Sequence, residues 1–183
     1  MESRARGLRA VVNIPDAYEV YHEDATLDMF ENTGVLARNE VEARFEILNE
    51  TYVKKLQIEA RVMGDMCLNH VIPAAVRYQN VLIENVKGVK DIFGADYMTY
   101  CSSEIETLKK ISLLMNNVSS DVEALVEARK KANKVDDIAQ RAKLYSREVK
   151  DMMDKVRKSV DELEMLIDDE MWPLPKYREL LFF

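Results

Sequence analysis

Cys67 and His70 stand three residues apart with Asp65 just before them, and theirs is the spacing in this chain that comes nearest to a metal-binding pattern. A cysteine and a histidine on one helical turn can share a zinc ion, but the site needs further Cys, His or carboxylate ligands from other segments. The remaining members of the set are His22 and Cys101, far away in sequence. The pair therefore reads as a histidine at a bent helix beside a small apolar thiol. The paired Glu-x-x-His motifs of a di-iron bundle are absent. Glu40, Glu42, Glu46, Glu50 and Glu59 are spread along one segment with Lys54, Lys55 and Arg61. At helical spacing such charges form a solvated face of i,i+4 pairs rather than an acid–base dyad. No serine is matched with a histidine base, and no cluster of glycines opens a helix as a phosphate loop would require. The residues assign no catalytic, cofactor-binding or metal position.

Composition narrows the class further. The 183 residues carry 33 acids against 26 bases, a net charge of −7. That excludes the basic footprint expected of a nucleic-acid binder and disfavours an anionic membrane surface. No apolar run approaches the roughly 20 residues needed to span a bilayer. The arginines near the start (Arg4, Arg6, Arg9) precede only Val11-Val12, too short for a signal segment. Two distant cysteines suit a reduced, cytoplasmic setting.

What remains is helix. Between Ala95 and Trp172 there is neither glycine nor proline. Ile138, Ala142, Tyr145, Val149, Met152, Val156, Ser159, Leu163 and Leu166 alternate steps of four and three, the seam of a helical bundle or coiled coil. Asp136 or Asp137 suits the start of that helix. Ile105, Leu108, Ser112, Met115, Val118, Val122 and Leu125 keep the same spacing in the helix before it. A first long helix shows Val41, Phe45, Leu48, Tyr52, Leu56, Val62, Met66, Val76 and Ile83 on its face, with Pro73 inside; the ring would clash with the carbonyl of Asn69 and bend the helix there. The expected fold is all-α: an antiparallel three-helix bundle of long helices at about 39–93, 97–132 and 136–171, preceded by short helices in residues 1–38 and followed by a docked tail, 172–183. At about 1.5 Å per residue the first helix outreaches the other two, leaving its N-terminal part around Phe45 and Tyr52 overhanging.

The tail is the least ordinary stretch. Asp168-Asp169-Glu170 puts three negative charges where a helix dipole is already negative, so a basic group, Lys176 or Arg178, should offset them. Trp172-Pro173-Leu174-Pro175 then stops any helix, and the chain ends Leu180-Leu181-Phe182-Phe183. Such side chains gain about 1.5–3 kcal/mol each on burial. Trp172, Leu174, Tyr177, Leu180, Leu181, Phe182 and Phe183, together with Phe45 and Tyr52, are the expected interface residues.

Three blocks of this sequence resemble the C-terminal helical region of type III glutamine synthetase. The first is Glu42-Ala43-Arg44-Phe45-Glu46-Ile47 with Tyr52-Val53-Lys54-Lys55-Leu56-Gln57-Ile58-Glu59. The second runs Asn69-His70-Val71-Ile72-Pro73-Ala74-Ala75-Val76-Arg77-Tyr78-Gln79-Asn80, followed by Glu84-Asn85-Val86-Lys87-Gly88. The third joins Val126-Glu127-Ala128-Arg129-Lys130-Lys131-Ala132-Asn133 to the closing run from Asp168 to Phe182, the most specific of all. The resemblance implies a parent enzyme, a glutamate–ammonia ligase using ATP and a divalent metal, that assembles as a large oligomer. Those ligands would belong to a catalytic domain preceding this region, and no position here matches that domain's residues. The implied role is structural: packing on the catalytic domain and on other subunits of a homo-oligomer. A free-standing coiled-coil interaction module is the alternative, since heptad seams alone permit it.

Overall fold

The computed structural model describes residues 6–7, 11–176 and 179–181. Among them it is all-α, with no strand. Two compact units emerge, one from residues 1–60 with 127–151 and one from residues 61–126 with 152–183.

In the first unit, α1 (Ile14–Tyr18) opens with the Asn13 side chain accepting from the Asp16 amide at 2.9 Å, and Pro15 sits in the first turn where a missing N–H costs nothing. A 3-10 turn (Glu19–His22) leads to α2 (Asp24–Asn32). Then comes α3 (Arg38–Met66), whose Arg38 pairs with Asp28 and Glu31 of α2. Val41, Phe45, Asn49, Val53 and Ala60 are buried along α3, and His22 covers the Phe45 ring at 4.1 Å. The short N-terminal helices thus cap the part of α3 that the sequence leaves overhanging. The Asp137 side chain caps α6 (Ile138–Leu144), accepting from the Gln140 amide at 2.6 Å. α1 packs on α6, and Glu19 pairs with Lys143 at 2.5 Å.

In the second unit, α4 (Ile72–Phe93) and α5 (Tyr97–Asn133) are joined by a 3-10 turn at Gly94–Asp96. Gly94 takes φ +60°, a backbone conformation that L side chains rarely adopt. A Cβ on Gly64 would lie 3.6 Å from Val122, and Gln79 donates to Ser112 Oγ at 2.7 Å. From Gly64 at the end of α3 to Gln79 in α4 the partner on α5 moves back from Val122 to Ser112, so α5 runs antiparallel to this stretch. α5 continues unbroken through Asn116-Asn117 but bends at Cys101, where φ −131° and ψ 26° leave the helical region. No glycine or proline marks that bend.

Two features depart from regular periodicity. A π-helical turn, Cys67–Val71, separates α3 from α4, with the Ile72 amide reaching back to Cys67 O. It lies just ahead of Pro73, and the wider turn relieves the crowding between the proline ring and the preceding carbonyls. A second π turn, Tyr145–Val149, separates α6 from α7 (Lys150–Glu164). Each adds one residue to the helix and rotates the apolar stripe beyond it. Met153 and Ile167 are therefore buried where the heptad count places Met152 and Leu166, and Val76 and Ile83 are exposed rather than internal. In α5 the buried stripe runs through Ile111 and Leu114, while Ser112 turns outward to meet Gln79.

The last helix ends at Glu164, not at residue 171. The amides of Leu166 and Ile167 both return to Leu163 O at 3.0 Å, a tightened terminal turn. The physical reason is the acidic run: ending early removes Asp168, Asp169 and Glu170 from the negative end of the dipole.

Candidate interaction surfaces

The tail is locked by one lysine. Lys176 is buried at 8 % exposure, and its Nζ donates to Ile167 O at 2.8 Å and pairs with Asp169 Oδ1 at 2.6 Å. It is the basic partner that the acidic run calls for. The same residue starts the closing 3-10 turn (Glu179–Leu181): its carbonyl accepts from the Glu179 amide, and Glu179 Oε2 accepts from the Lys176 amide at 3.1 Å. Burial, then the neighbouring Asp161 and Glu179 charges, push the Glu164 carboxyl above the usual range, while Lys176 opposes them.

The expected interface residues divide sharply. Trp172 is 7 % exposed and Phe45 lies under His22, so both are interior side chains with little surface for a partner. Their large apolar area is covered by the chain's own packing. Leu174 and Tyr52 are half-buried, and Leu180 and Leu181 are exposed. Tyr177, Phe182 and Phe183 lie outside the described residues.

Among the described residues two surfaces stand out for apolar character. A groove of about 750 Å³ in the second unit has Leu113, Leu114, Met165 and Leu166 along it, with Lys110, Arg157, Lys158, Asp154, Asp161 and Glu162 also lining it, Arg157 pairing with Asp161 at 3.5 Å. The other is the tip of the α4–α5 hairpin. Ile92, Phe93, Met98 and Tyr100 are all exposed there, and the Phe93 and Tyr100 rings stack at 4.2 Å. No residue from Val76 to Tyr100 is buried. The sequence signal for this tip is a tight Gly94 turn flanked by large apolar residues where polar ones are usual.

Chemistry is sparse by comparison. Cys67 is buried, its thiol pushed up to about 11 by burial, and His70 is exposed, so the two do not converge. Among the described residues no group of three His, Cys, Asp or Glu side chains is placed to hold a metal ion. No helix among them is long and apolar enough to cross a membrane.

Long helices with a lysine-locked tail define a helical domain, and residues 1–90 match the family described as glutamine synthetase C-terminal domain. The whole chain is similar to the C-terminal part of glutamine synthetases, a type-3 enzyme among them. It is 38% identical over 182 residues to a glutamine synthetase of Bacteroides fragilis (strain YCH46), covering 99% of this chain and 25% of that protein. It is 29% identical over 181 residues to a glutamine synthetase of Butyrivibrio fibrisolvens, with 99% of this chain and 25% of that protein covered. Similarity to the type-3 glutamine synthetase of Dictyostelium discoideum is 29% over 186 residues, 98% of this chain and 25% of that one. The chain spans about a quarter of the length of the curated relatives it matches.

Proposed function

We propose that this chain is the non-catalytic C-terminal helical domain of a type III glutamine synthetase-like protein, with a structural role in domain packing and oligomer assembly. The carrying observation is similarity along 99% of the chain to a quarter of a glutamine synthetase. Ligation of ammonia to glutamate, with its ATP and divalent metal, is the work of the other three quarters. The partners are that catalytic region and further subunits, in the cytoplasm. Exposed Leu180 and Leu181 and the charged-rimmed apolar groove support a packing role, because they are surfaces rather than reaction centres. We also read the long helices as antiparallel three-helix packing, supported by the Gln79–Ser112 pairing in one unit and the Lys131–Glu148 pairing in the other.

The test is to express the catalytic region of a related type-3 enzyme with and without this chain fused behind it. Light scattering should show loss of assembly or of solubility when the chain is missing. An unchanged oligomer with full ligase activity overturns the assembly role and favours a free-standing interaction module. Glutamate-dependent ATP hydrolysis by the 183-residue chain alone is expected to be nil, and turnover would overturn its non-catalytic assignment.

A further inference from the structure

We propose that a small pocket in the first unit, where the connection between α5 and α6 lies against α3, binds a small oxyanion: a carboxylate or phosphate group on a molecule of low mass. The site is independent of the assembly role above and can stand or fall without it.

The pocket holds about 310 Å³, at the small end of the range for ligand sites, and all its lining residues belong to the first unit. Glu50, Val53, Lys54 and Gln57 fall at helical spacing and so share one face of α3. Asn133 is the last residue of α5, and Ile138 and Arg141 stand at the start of α6. Buried Val53 and half-buried Ile138 supply the apolar part of the wall, and the other lining residues are polar.

Arg141 is the group that points to a ligand. Its Nε donates to Val135 O at 2.7 Å, which ties the side chain to the α5–α6 connection. Its terminal nitrogens have no partner among the described residues. Asp137, the carboxylate one turn earlier on the chain, instead accepts from the Gln140 amide at 2.6 Å. Other cations of this unit reach acids on another element: Arg38 has Asp28 and Glu31, Lys143 has Glu19, and Lys131 has Glu148. Arg141 is half-buried and has only a carbonyl. A guanidinium held this way presents a fork of N–H donors that fits a carboxylate or a phosphate with two parallel hydrogen bonds.

Two amides add uncharged donors. Tyr145, fully buried, donates its hydroxyl to Asn133 Oδ1 at 2.8 Å, so the amide oxygen is engaged and the NH2 is left over. Gln57 makes no hydrogen bond among the described residues. Lys54 pairs with Glu50 at 3.1 Å, an exposed pair that an incoming anion can split at little cost. The lining thus carries two cations against one acid, in a chain whose net charge is −7. A single guanidinium fork with two amides in so small a space suits one small molecule, held with a dissociation constant on the order of 1 mM.

Amide NMR spectra of the full 183-residue chain test it, in titrations with inorganic phosphate and separately with succinate at neutral pH and fixed ionic strength. Shifts should saturate and centre on residues 53–57 and 133–141 with at least one probe. Saturation by phosphate alone assigns a phosphoryl ligand, by succinate alone a carboxylate, and by both the shared oxyanion chemistry; each supports the site. Gln57→Glu sets an acid in the pocket without breaking a hydrogen bond of the described chain, and should weaken binding at least about tenfold. Gln57→Lys should tighten it. Arg141→Gln, with helix content checked by circular dichroism, should abolish saturation. Shifts that fail to saturate with both probes, or that saturate elsewhere on the chain, overturn the proposal. So does a Gln57→Glu or Arg141→Gln variant that binds like wild type.

Discussion

Replacing Lys176 with methionine removes the ammonium and keeps most of the aliphatic stem. Two interactions go with it: the donation to Ile167 O at 2.8 Å and the pair with Asp169 at 2.6 Å. They are not of equal worth. Asp169 is 42% exposed at its side chain, so water replaces the lost cation and the pair contributes less than about 1 kcal/mol. Ile167 is 3% exposed, so its carbonyl stays dry and loses a charge-assisted donor. Leaving such a group unsatisfied costs about 1–3 kcal/mol. Methionine avoids the cost of burying an ammonium, which trims the total, and we expect a net loss near 2 kcal/mol. For a chain of this length that is a fall in Tm of roughly 4–8 °C. The assay is thermal melting followed at 222 nm, with urea midpoints as a second measure. Asp169→Asn is the control, leaving the carbonyl bond in place, and should shift Tm by less than about 4 °C. Equal losses in the two variants would show that the ion pair, not the helix-end carbonyl, is what the lysine serves. A K176M chain as stable as wild type would refute the lock altogether.

Trp172 is the single tryptophan and is 7% exposed, so its emission should be blue-shifted and poorly quenched by acrylamide; a quenching slope equal to that of the urea-unfolded chain would show an undocked tail. Trp172→Ala should cost about 3–5 kcal/mol in urea unfolding. Cys67, its thiol pushed up to about 11, and Cys101, fully buried, should both resist a thiol reagent at pH 8 and yield two equivalents in denaturant; rapid native labelling of either contradicts the packing. Gly94→Ala adds a Cβ with no atom within 4 Å, so its cost is backbone strain at φ +60°, about 1–2 kcal/mol in urea unfolding; an unchanged midpoint would mean that the turn is built differently.

Helix was legible because apolar spacing is a direct projection of which side faces inward. Val118, Val122 and Leu125 are seam residues by count and are buried in the structure. The projection fails where the backbone changes pitch. Nothing in Tyr145-Ser146-Arg147-Glu148-Val149 announces a wider turn, so Met152 was indistinguishable from Met153 as a core residue. The bend at Cys101 has no glycine or proline to betray it. The acidic run at Asp168 was visible as a conflict with the helix dipole, and the lysine that resolves it was visible too. The earlier helix end at Glu164 was not, because Met165 and Leu166 continue the apolar pattern. Surfaces were the hardest to see. Trp172 and Phe45 carry the same hydrophobic signature as Ile92 and Tyr100, and only the neighbours supplied by the fold separate an interior ring from an exposed one.

The π turns have a consequence for how such a chain can change length. A single-residue deletion inside an ordinary helix turns everything beyond it by about 100° and throws its packing out of line. Cys67–Val71 and Tyr145–Val149 are places where the helix already carries one residue more than regular geometry uses. Removing a residue there yields a continuous α-helix with sound hydrogen bonds, and the side chains beyond it keep the faces they already present. Loss of a residue at either turn should therefore leave both helix content and cooperative unfolding intact, whereas the same deletion elsewhere in these helices should abolish the cooperativity. One-residue gaps among related chains should accordingly fall at these two turns rather than elsewhere in the same helices.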